Sequence, residues 1–199
     1  MELLFATQNQ NKLIEIQNIL GNAFNLISLN DVSINIEVPE NQNTIEGNAL
    51  EKVKFVFEKT GKNCFADDTG LEVFALNGEP GVNSARYAGS DKNSDNNISL
   101  LLSKLDGKDN REARFKTVIA LILNGNEYLF EGLIYGTITD EKRGTHGFGY
   151  DPVFIPNGYN ITFAEMPIEE KNKISHRAKA FRKLAIWLNK RTDKSIKST

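Results

Sequence analysis

The run Arg114 to Leu123, the dipeptide Asn124-Gly125 and the run Glu127 to Tyr135 constrain the fold more than any other stretch. Both runs are rich in β-branched and aromatic residues. Asn-Gly between two such runs is the strongest short-range hairpin signal. The pair is long enough to form a prominent antiparallel part of a sheet. The chain nevertheless opens differently. Leu3-Leu4-Phe5-Ala6 reads as a short buried strand, Thr7 to Lys12 as a polar loop, and a helix follows with Leu13, Ile16, Ile19 and Leu20 at helical spacing and Gly21 as its stop. Strand–loop–helix units together with a hairpin require an α/β fold whose sheet is mixed, not simply doubly wound.

The remaining elements fill in that class. Phe24 to Leu29 reads as a second strand. A helix then follows a capping box of Asn43 and Glu46, carries Ala49, Val53, Val56 and Phe57 on one face, and ends at Lys59-Thr60-Gly61. Leu71 to Leu76 reads as a strand closed by Asn77-Gly78. Gly81 to Gly89 is a long small-residue connection of the kind that forms binding loops. Asp91 to Leu105 predicts a helix with Ile98, Leu101, Leu102 and Leu105 inward, and Val153 to Ile155 another strand. The last helix begins behind Ser175 as N-cap, with Phe181, Leu184, Ala185 and Leu188 inward. Residues 1–190 are expected to form a single domain, and 191–199 a loose polar tail.

Charge and composition exclude several classes. The formal net charge of −2 offers no global basic field for nucleic acid or anionic membrane. The single cysteine, Cys64, rules out an internal disulfide and a Cys-cluster metal site. No apolar run reaches membrane-spanning length, and Met1-Glu2-Leu3 begins no signal peptide, so the expected location is cytoplasmic.

Chemistry-bearing residues concentrate in four places. In Cys64 to Leu71, the apolar Cys64-Phe65-Ala66 reads as the end of a buried strand, followed by Asp67, Asp68, Thr69 and Gly70. Ligands of open α/β sheets bind beyond strand ends, and adjacent side chains on extended backbone point to opposite sides. Asp67 and Asp68 should therefore do different jobs, one toward a ligand and one anchoring the turn. Such hard oxygen donors suit Mg²⁺; the same residues also make an ordinary turn. Thr7 to Lys12 is either a phosphate-binding loop at a helix N-terminus, with Lys12 as a point charge, or an Asn-rich helix cap; no Walker pattern is present. Glu40, in a loop before its helix, is free to reach a metal, and Lys52 on that helix to reach phosphate. In Gly144 to Pro152, glycines flank aromatics: Phe148 can stack on a base and Asp151 can accept from a purine N–H, the alternative being a glycine-rich turn with core aromatics. His176 and Arg177 fall in a helix's first turn, where cations oppose the dipole, which points to an anionic or hydrogen-bonding ligand nearby.

Taken in order, Thr7-x-Asn9-x-x-Lys12, Glu40 with Thr44 and Asn48-Ala49, Ala66-Asp67-Asp68-Thr69-Gly70-Leu71, Ser84-Ala85-Arg86-Tyr87, Phe148-Gly149-Tyr150-Asp151-Pro152, Thr162-Phe163-Ala164-Glu165 and Ser175-His176-Arg177 resemble the inosine triphosphate pyrophosphatase family, the HAM1-like or RdgB-like non-canonical purine NTP pyrophosphatases. Thr69 stands for the usual serine, Gln8 where a small residue is common, and Gly47 where an acid is common. The resemblance implies two α/β lobes around a long mixed β-sheet with flanking helices, and a nucleotide cleft between the lobes. It implies Mg²⁺-dependent hydrolysis of ITP, dITP and XTP to monophosphate and pyrophosphate by a cytoplasmic homodimer, with neither nucleic acid nor membrane as partner. Residue by residue it implies that Glu40 and Asp68 hold the metal, that Asp68 activates water and that Asp67 shares this work. Thr7, Gln8, Asn9, Gln10, Asn11, Lys12, Lys52, Thr69 and Lys171 would hold phosphates and sugar. Phe148, Gly149, Tyr150 and Asp151, with His176 and Arg177, would hold the base. A nucleotide triphosphatase releasing phosphate and a non-catalytic nucleotide-binding module are the rival readings.

Overall fold

The structure is a computed structural model and describes residues 1–7, 13, 16, 17, 20, 22, 24–33 and 38–196, with side chains described through 191. The expected loop residues Gln8 to Lys12, and Ile19 and Gly21 of the expected first helix, lie outside the described residues; Leu13, Ile16 and Leu20 are described and buried. The elements are β1 (Glu2–Phe5), β2 (Asn25–Ile27), α1 (Ile45–Thr60), β3 (Cys64–Val73), α2 (Ser94–Lys104), β4 (Glu112–Leu123), β5 (Asn126–Ile138), β6 (Phe154–Pro156), α3 (Ile168–Ile174) and α4 (His176–Ile196). Six strands form one sheet in the order β2-β1-β3-β4-β5-β6. β1 runs parallel to both β2 and β3, and β6 antiparallel to β5. The sheet is mixed, as the hairpin required. Its turn residues Asn124 and Gly125 both take positive φ, 51° and 75°, the geometry that matches strand twist in a two-residue turn.

The chain divides into two compact units, each gathered from separate segments: Met1–Asp68, Val118–Glu131 and Lys179–Thr199 in the first, Thr69–Thr117 and Gly132–Ala178 in the second. In the first unit the parallel register sets Phe5 beside Phe65. The rings stack at 4.6 Å, and Phe181 of α4 meets both edge-on at 6.0 and 6.1 Å. Phe181, Leu184, Ala185 and Leu188 are all buried, as the helical spacing predicted. In the second unit Phe115, Phe154 and Phe163 form the aromatic centre, with Ile98, Leu101 and Leu105 packed into the same cluster.

Three local expectations are corrected. β3 does not end at Ala66; it runs through Asp67-Asp68-Thr69-Gly70 to Val73, and Phe74–Leu76 is a 3₁₀ turn. β3 has strand neighbours on both sides in the sheet, and that pairing overrides the turn preference of its polar residues. The N-cap of α1 is Thr44, not Asn43: Thr44 is extended and its Oγ1 accepts from Gly47 N at 2.9 Å. At the other end α4 continues helically to Ile196, into the stretch expected to be loose. The caps expected at Gly61 (φ 64°, N–H to Phe57 O) and at Ser175 (Oγ accepting from Ala178 N at 3.2 Å) are present.

Candidate functional site

In the first unit, α1 buries an apolar face that contains two polar side chains, Asn48 and Lys52, four residues apart and therefore on one side of the helix. Lys52 Nζ donates to Asp68 Oδ1 at 2.8 Å and to the Asp67 carbonyl at 3.0 Å, and pairs with Glu40 Oε1 at 2.7 Å. Asn48 Nδ2 lies 3.4 Å from Asp68 Oδ2. Glu40 is brought to this cluster by the loop that follows it. Glu51 Oε2 accepts from Asn41 N at 2.7 Å, and Asn48 Oδ1 from Gln42 N at 2.9 Å, which pins the loop on α1. Gly47 makes that possible: a Cβ there would lie 2.7 Å from Gln42 Cβ and 2.9 Å from Thr44 Oγ1. A larger residue at position 47 would have to displace the loop as it docks here.

The electrostatics follow from two carboxylates sharing one ammonium. Burial, the largest influence on Asp68, pushes its carboxyl above the usual range; Lys52 opposes the shift, and Glu40 and Asp67 add to it. Burial pulls Lys52 down, but Asp68, Glu40 and Asp67 together outweigh it and hold the ammonium above its ordinary value. The cluster therefore keeps Lys52 charged while leaving Asp68 more basic than an exposed aspartate. Those are the properties wanted of a cation clamp and of a carboxylate that takes a proton from water.

In the second unit Asp151, 3% exposed, accepts at Oδ2 from Phe148 N at 2.8 Å and from Lys171 Nζ at 2.5 Å. The Lys171 ammonium lies 5.2 Å from the Phe148 ring centroid, and the Arg177 guanidinium 5.5 Å from it. Phe148 is 66% exposed, so an aromatic surface is held beside two cations yet open to a flat partner. His176 is buried and stacked on Phe115 at 4.7 Å and 13°. Tyr150 donates its hydroxyl to Ser84 O at 2.9 Å, and burial raises its pKa. Thr69 Oγ1 lies 2.8 Å from Thr117 Oγ1. Gly149 has φ 61° and Thr7 is buried.

Glu40, Lys52, Asp67 and Asp68 are therefore brought together, as are Phe148, Asp151, Lys171 and Arg177. The sequence reading gave no role to Glu51 or Asn97, named Asn48 only within the family motif, and counted Gly147 only among the glycines that let backbone approach a flat ligand. Asn97, 3% exposed, donates to Ala85 O at 2.9 Å and accepts from Ala88 N at 2.7 Å, and it fixes the loop that carries Ser84. The signal for Asn48 and Asn97 was present as polar residues on otherwise apolar helix faces; the backbone partners of Glu51 and the crowding at Gly147 had none.

Among the described residues no group of three or more His, Cys, Asp or Glu is arranged to hold a metal. Mg²⁺ needs less than that: one or two carboxylates, with substrate phosphates and water completing its shell. Glu40 and Asp68 already converge on a single cation, the Lys52 ammonium, within 2.8 Å. The pair fits the ion. No described helix is long and apolar enough to cross a membrane.

Comparison with known proteins places the chain in a family. Residues 3–187 match the Ham1 family. A dITP/XTP pyrophosphatase of Flavobacterium johnsoniae is 53% identical over 184 residues, covering 92% of this chain and 96% of the relative. The Ham1 protein of Staphylococcus aureus superposes with a TM-score of 0.91 at 38% identity, over 96% of this chain and all of that one. A HAM1 protein of Coxiella burnetii does so with a TM-score of 0.92 at 36% identity, over 96% and 99%. With the match spanning nearly its whole length, this chain belongs to the Ham1 family.

Proposed function

We propose that the protein is a Mg²⁺-dependent nucleoside-triphosphate pyrophosphatase that hydrolyses dITP, ITP and XTP to the monophosphate and pyrophosphate. The observation that carries the reading is the convergence of Glu40 and Asp68 on one cation position, in a chain so close to a dITP/XTP pyrophosphatase. Displacement at phosphorus asks little covalent help of a protein and much positioning and charge neutralisation. Glu40 and Asp68 would hold Mg²⁺, which when bound neutralises phosphate charge and acidifies coordinated water. Asp68 takes the proton of the water that attacks the α-phosphorus. Asn48 and the Asp67 backbone, both in contact with this cluster, hold the aspartate and the lysine in place.

Base selection is assigned to the second unit. Phe148 offers its exposed ring for stacking, and Lys171 and Arg177 bring donors beside it. Hypoxanthine and xanthine carry a 6-oxo acceptor that such donors satisfy. Adenine presents a 6-amino donor instead, and an unpaired buried polar group costs about 1–3 kcal/mol, roughly tenfold to a hundredfold per group. The same reading makes the enzyme a cytoplasmic homodimer acting on free nucleotides, and light scattering checks its mass.

The test is a panel of nucleoside triphosphates with Mg²⁺, scored for products, with Asp68→Asn alongside. Monophosphate and pyrophosphate from dITP and XTP, and a loss of about 10²–10⁴ in rate for Asp68→Asn, are expected. Release of free phosphate, or an unchanged rate in that variant, would overturn it.

A further inference from the structure

An ammonium has three donors, and Lys52 uses all three inside the protein: on Glu40 Oε1 at 2.7 Å, Asp68 Oδ1 at 2.8 Å and the Asp67 carbonyl at 3.0 Å. Two of these partners are the carboxylates assigned to the metal. Lys52 thus stands where a divalent cation would bind, and in this arrangement it has no donor left for a phosphate. A monovalent and a divalent cation cannot share those oxygens without strong like-charge repulsion. Glu40 is the most solvent-exposed of the three charged groups: its side chain is 38% exposed, against 10% for Lys52 and 12% for Asp68. The Glu40 contact is therefore the one that solvent and ions reach first.

We propose that Lys52 is a resident counter-cation that a divalent metal displaces from Glu40 and Asp68, and that displacement is what releases its ammonium to the phosphate chain. The inference rests on the metal assignment made above. In the ligand-free protein Lys52 neutralises a buried carboxylate that would otherwise be costly to hold ionised. Metal alone then binds weakly, because it competes with a built-in cation. Metal and triphosphate together bind well, because the metal takes the carboxylates that Lys52 leaves and the phosphate chain takes the ammonium that they release. This is a coupling between two ligands through one side chain, of the kind that usually amounts to about 5–150-fold in affinity.

The experiment measures divalent-metal binding without nucleotide, by Mn²⁺ electron paramagnetic resonance at one fixed pH. It compares the wild-type chain with Lys52→Met, Lys52→Arg and Glu40→Gln. Lys52→Met should bind Mn²⁺ about tenfold or more tightly than wild type, while Lys52→Arg, which keeps the cation, should show no gain. Equal or weaker binding by Lys52→Met overturns the exchange. Because Lys52→Met leaves carboxylates facing each other and can fail to fold, a second measurement uses the wild-type protein. Reductive methylation of Lys52, read by mass spectrometry against the exposed Lys62, should speed up several-fold on addition of Mg²⁺. Unchanged labelling at saturating Mg²⁺ also overturns the exchange. Glu40→Gln separates the two readings: it should abolish Mn²⁺ binding, and if it does not, the metal assignment itself falls and takes the exchange with it.

Discussion

Two glycines two residues apart allow the Phe148 turn to be tested by a matched pair. Gly147 and Gly149 both take left-handed backbone, with φ 78° and 61°. A Cβ at Gly149 would meet nothing within 4 Å, whereas one at Gly147 would lie 2.1 Å from Asp151 Oδ2. Gly149→Ala therefore measures backbone strain alone, about 1–2 kcal/mol. Gly147→Ala carries the same strain and must also move Asp151. That carboxylate is 3% exposed, and the displaced atom is the one that accepts from both Phe148 N and Lys171 Nζ. Breaking a buried ion pair costs about 3–5 kcal/mol. The long Lys171 side chain can follow part of the way, which reduces the excess over Gly149→Ala to about 2–4 kcal/mol. For a chain of this size that corresponds to roughly 4–16 °C in Tm at about 2–4 °C per kcal/mol. Thermal unfolding of the two variants gives the comparison directly, and kcat/KM for dITP against dATP gives the functional side. Selectivity should fall more in Gly147→Ala, because the Lys171 ammonium loses the group that aims it. Should both variants unfold within about 0.5 kcal/mol of each other, the account of Asp151 as the post of this turn is wrong.

Asn97→Ala removes three backbone partners of the Ser84–Ala88 loop and should cost about 2–3 kcal/mol; faster hydrogen exchange at the Ala88 amide is the specific readout, and an unchanged rate would discard the role. Burial pushes the Cys64 thiol up to about 12 from an ordinary 9.0, so the native protein should resist a thiol reagent at pH 8 and react only when unfolded; native labelling at the rate of a free thiol would contradict its burial. The sign for stability follows, since the folded chain keeps a proton there that the unfolded chain releases: stability should fall as pH rises between about 9 and 12, and Cys64→Ala should flatten that slope. Thr44→Ala, which loses the side-chain acceptor for Gly47 N, should cost about 1 kcal/mol in urea unfolding, with little change in the denaturant slope.

The elements that could be read in the sequence are those whose causes are local. Asn124-Gly125 makes its turn because both residues accept positive φ, and Ser175 and Gly61 cap their helices with their own atoms. The failures share the opposite character. Asp67-Asp68-Thr69-Gly70 has the composition of a turn, and only strand neighbours brought from distant segments keep it extended. Asn43 and Thr44 are both competent caps; the choice between them was set by Asn48 and Glu51 holding the backbone of residues 41 and 42. Both units are gathered from separated segments, so composition along the chain carries no mark of them.

The same distinction explains why the polar and charged side chains were easier to single out than the groups they hold. A sequence shows which side chains carry charge or hydrogen-bonding capacity, and it invites each to be assigned to a ligand. In a fold without ligand, buried polar groups must still be satisfied, and the nearest available partners are one another. Lys52, expected on phosphate, sits on Glu40 and Asp68. Lys171 and Asp151, expected on the phosphate chain and a purine N–H, hold each other, and the Thr69 hydroxyl lies against Thr117. Each of these pairings joins groups of opposite charge or matching hydrogen-bond capacity that a triphosphate, a metal or a purine would also engage. On the proposed reading, ligand binding at each cluster is an exchange of partners more than a filling of vacant ones. The net gain per contact is then the difference between two satisfied states, which is small. Discrimination becomes large only for a ligand that leaves one of the exchanged groups unsatisfied, and under the base selection proposed above a 6-amino purine would be such a ligand.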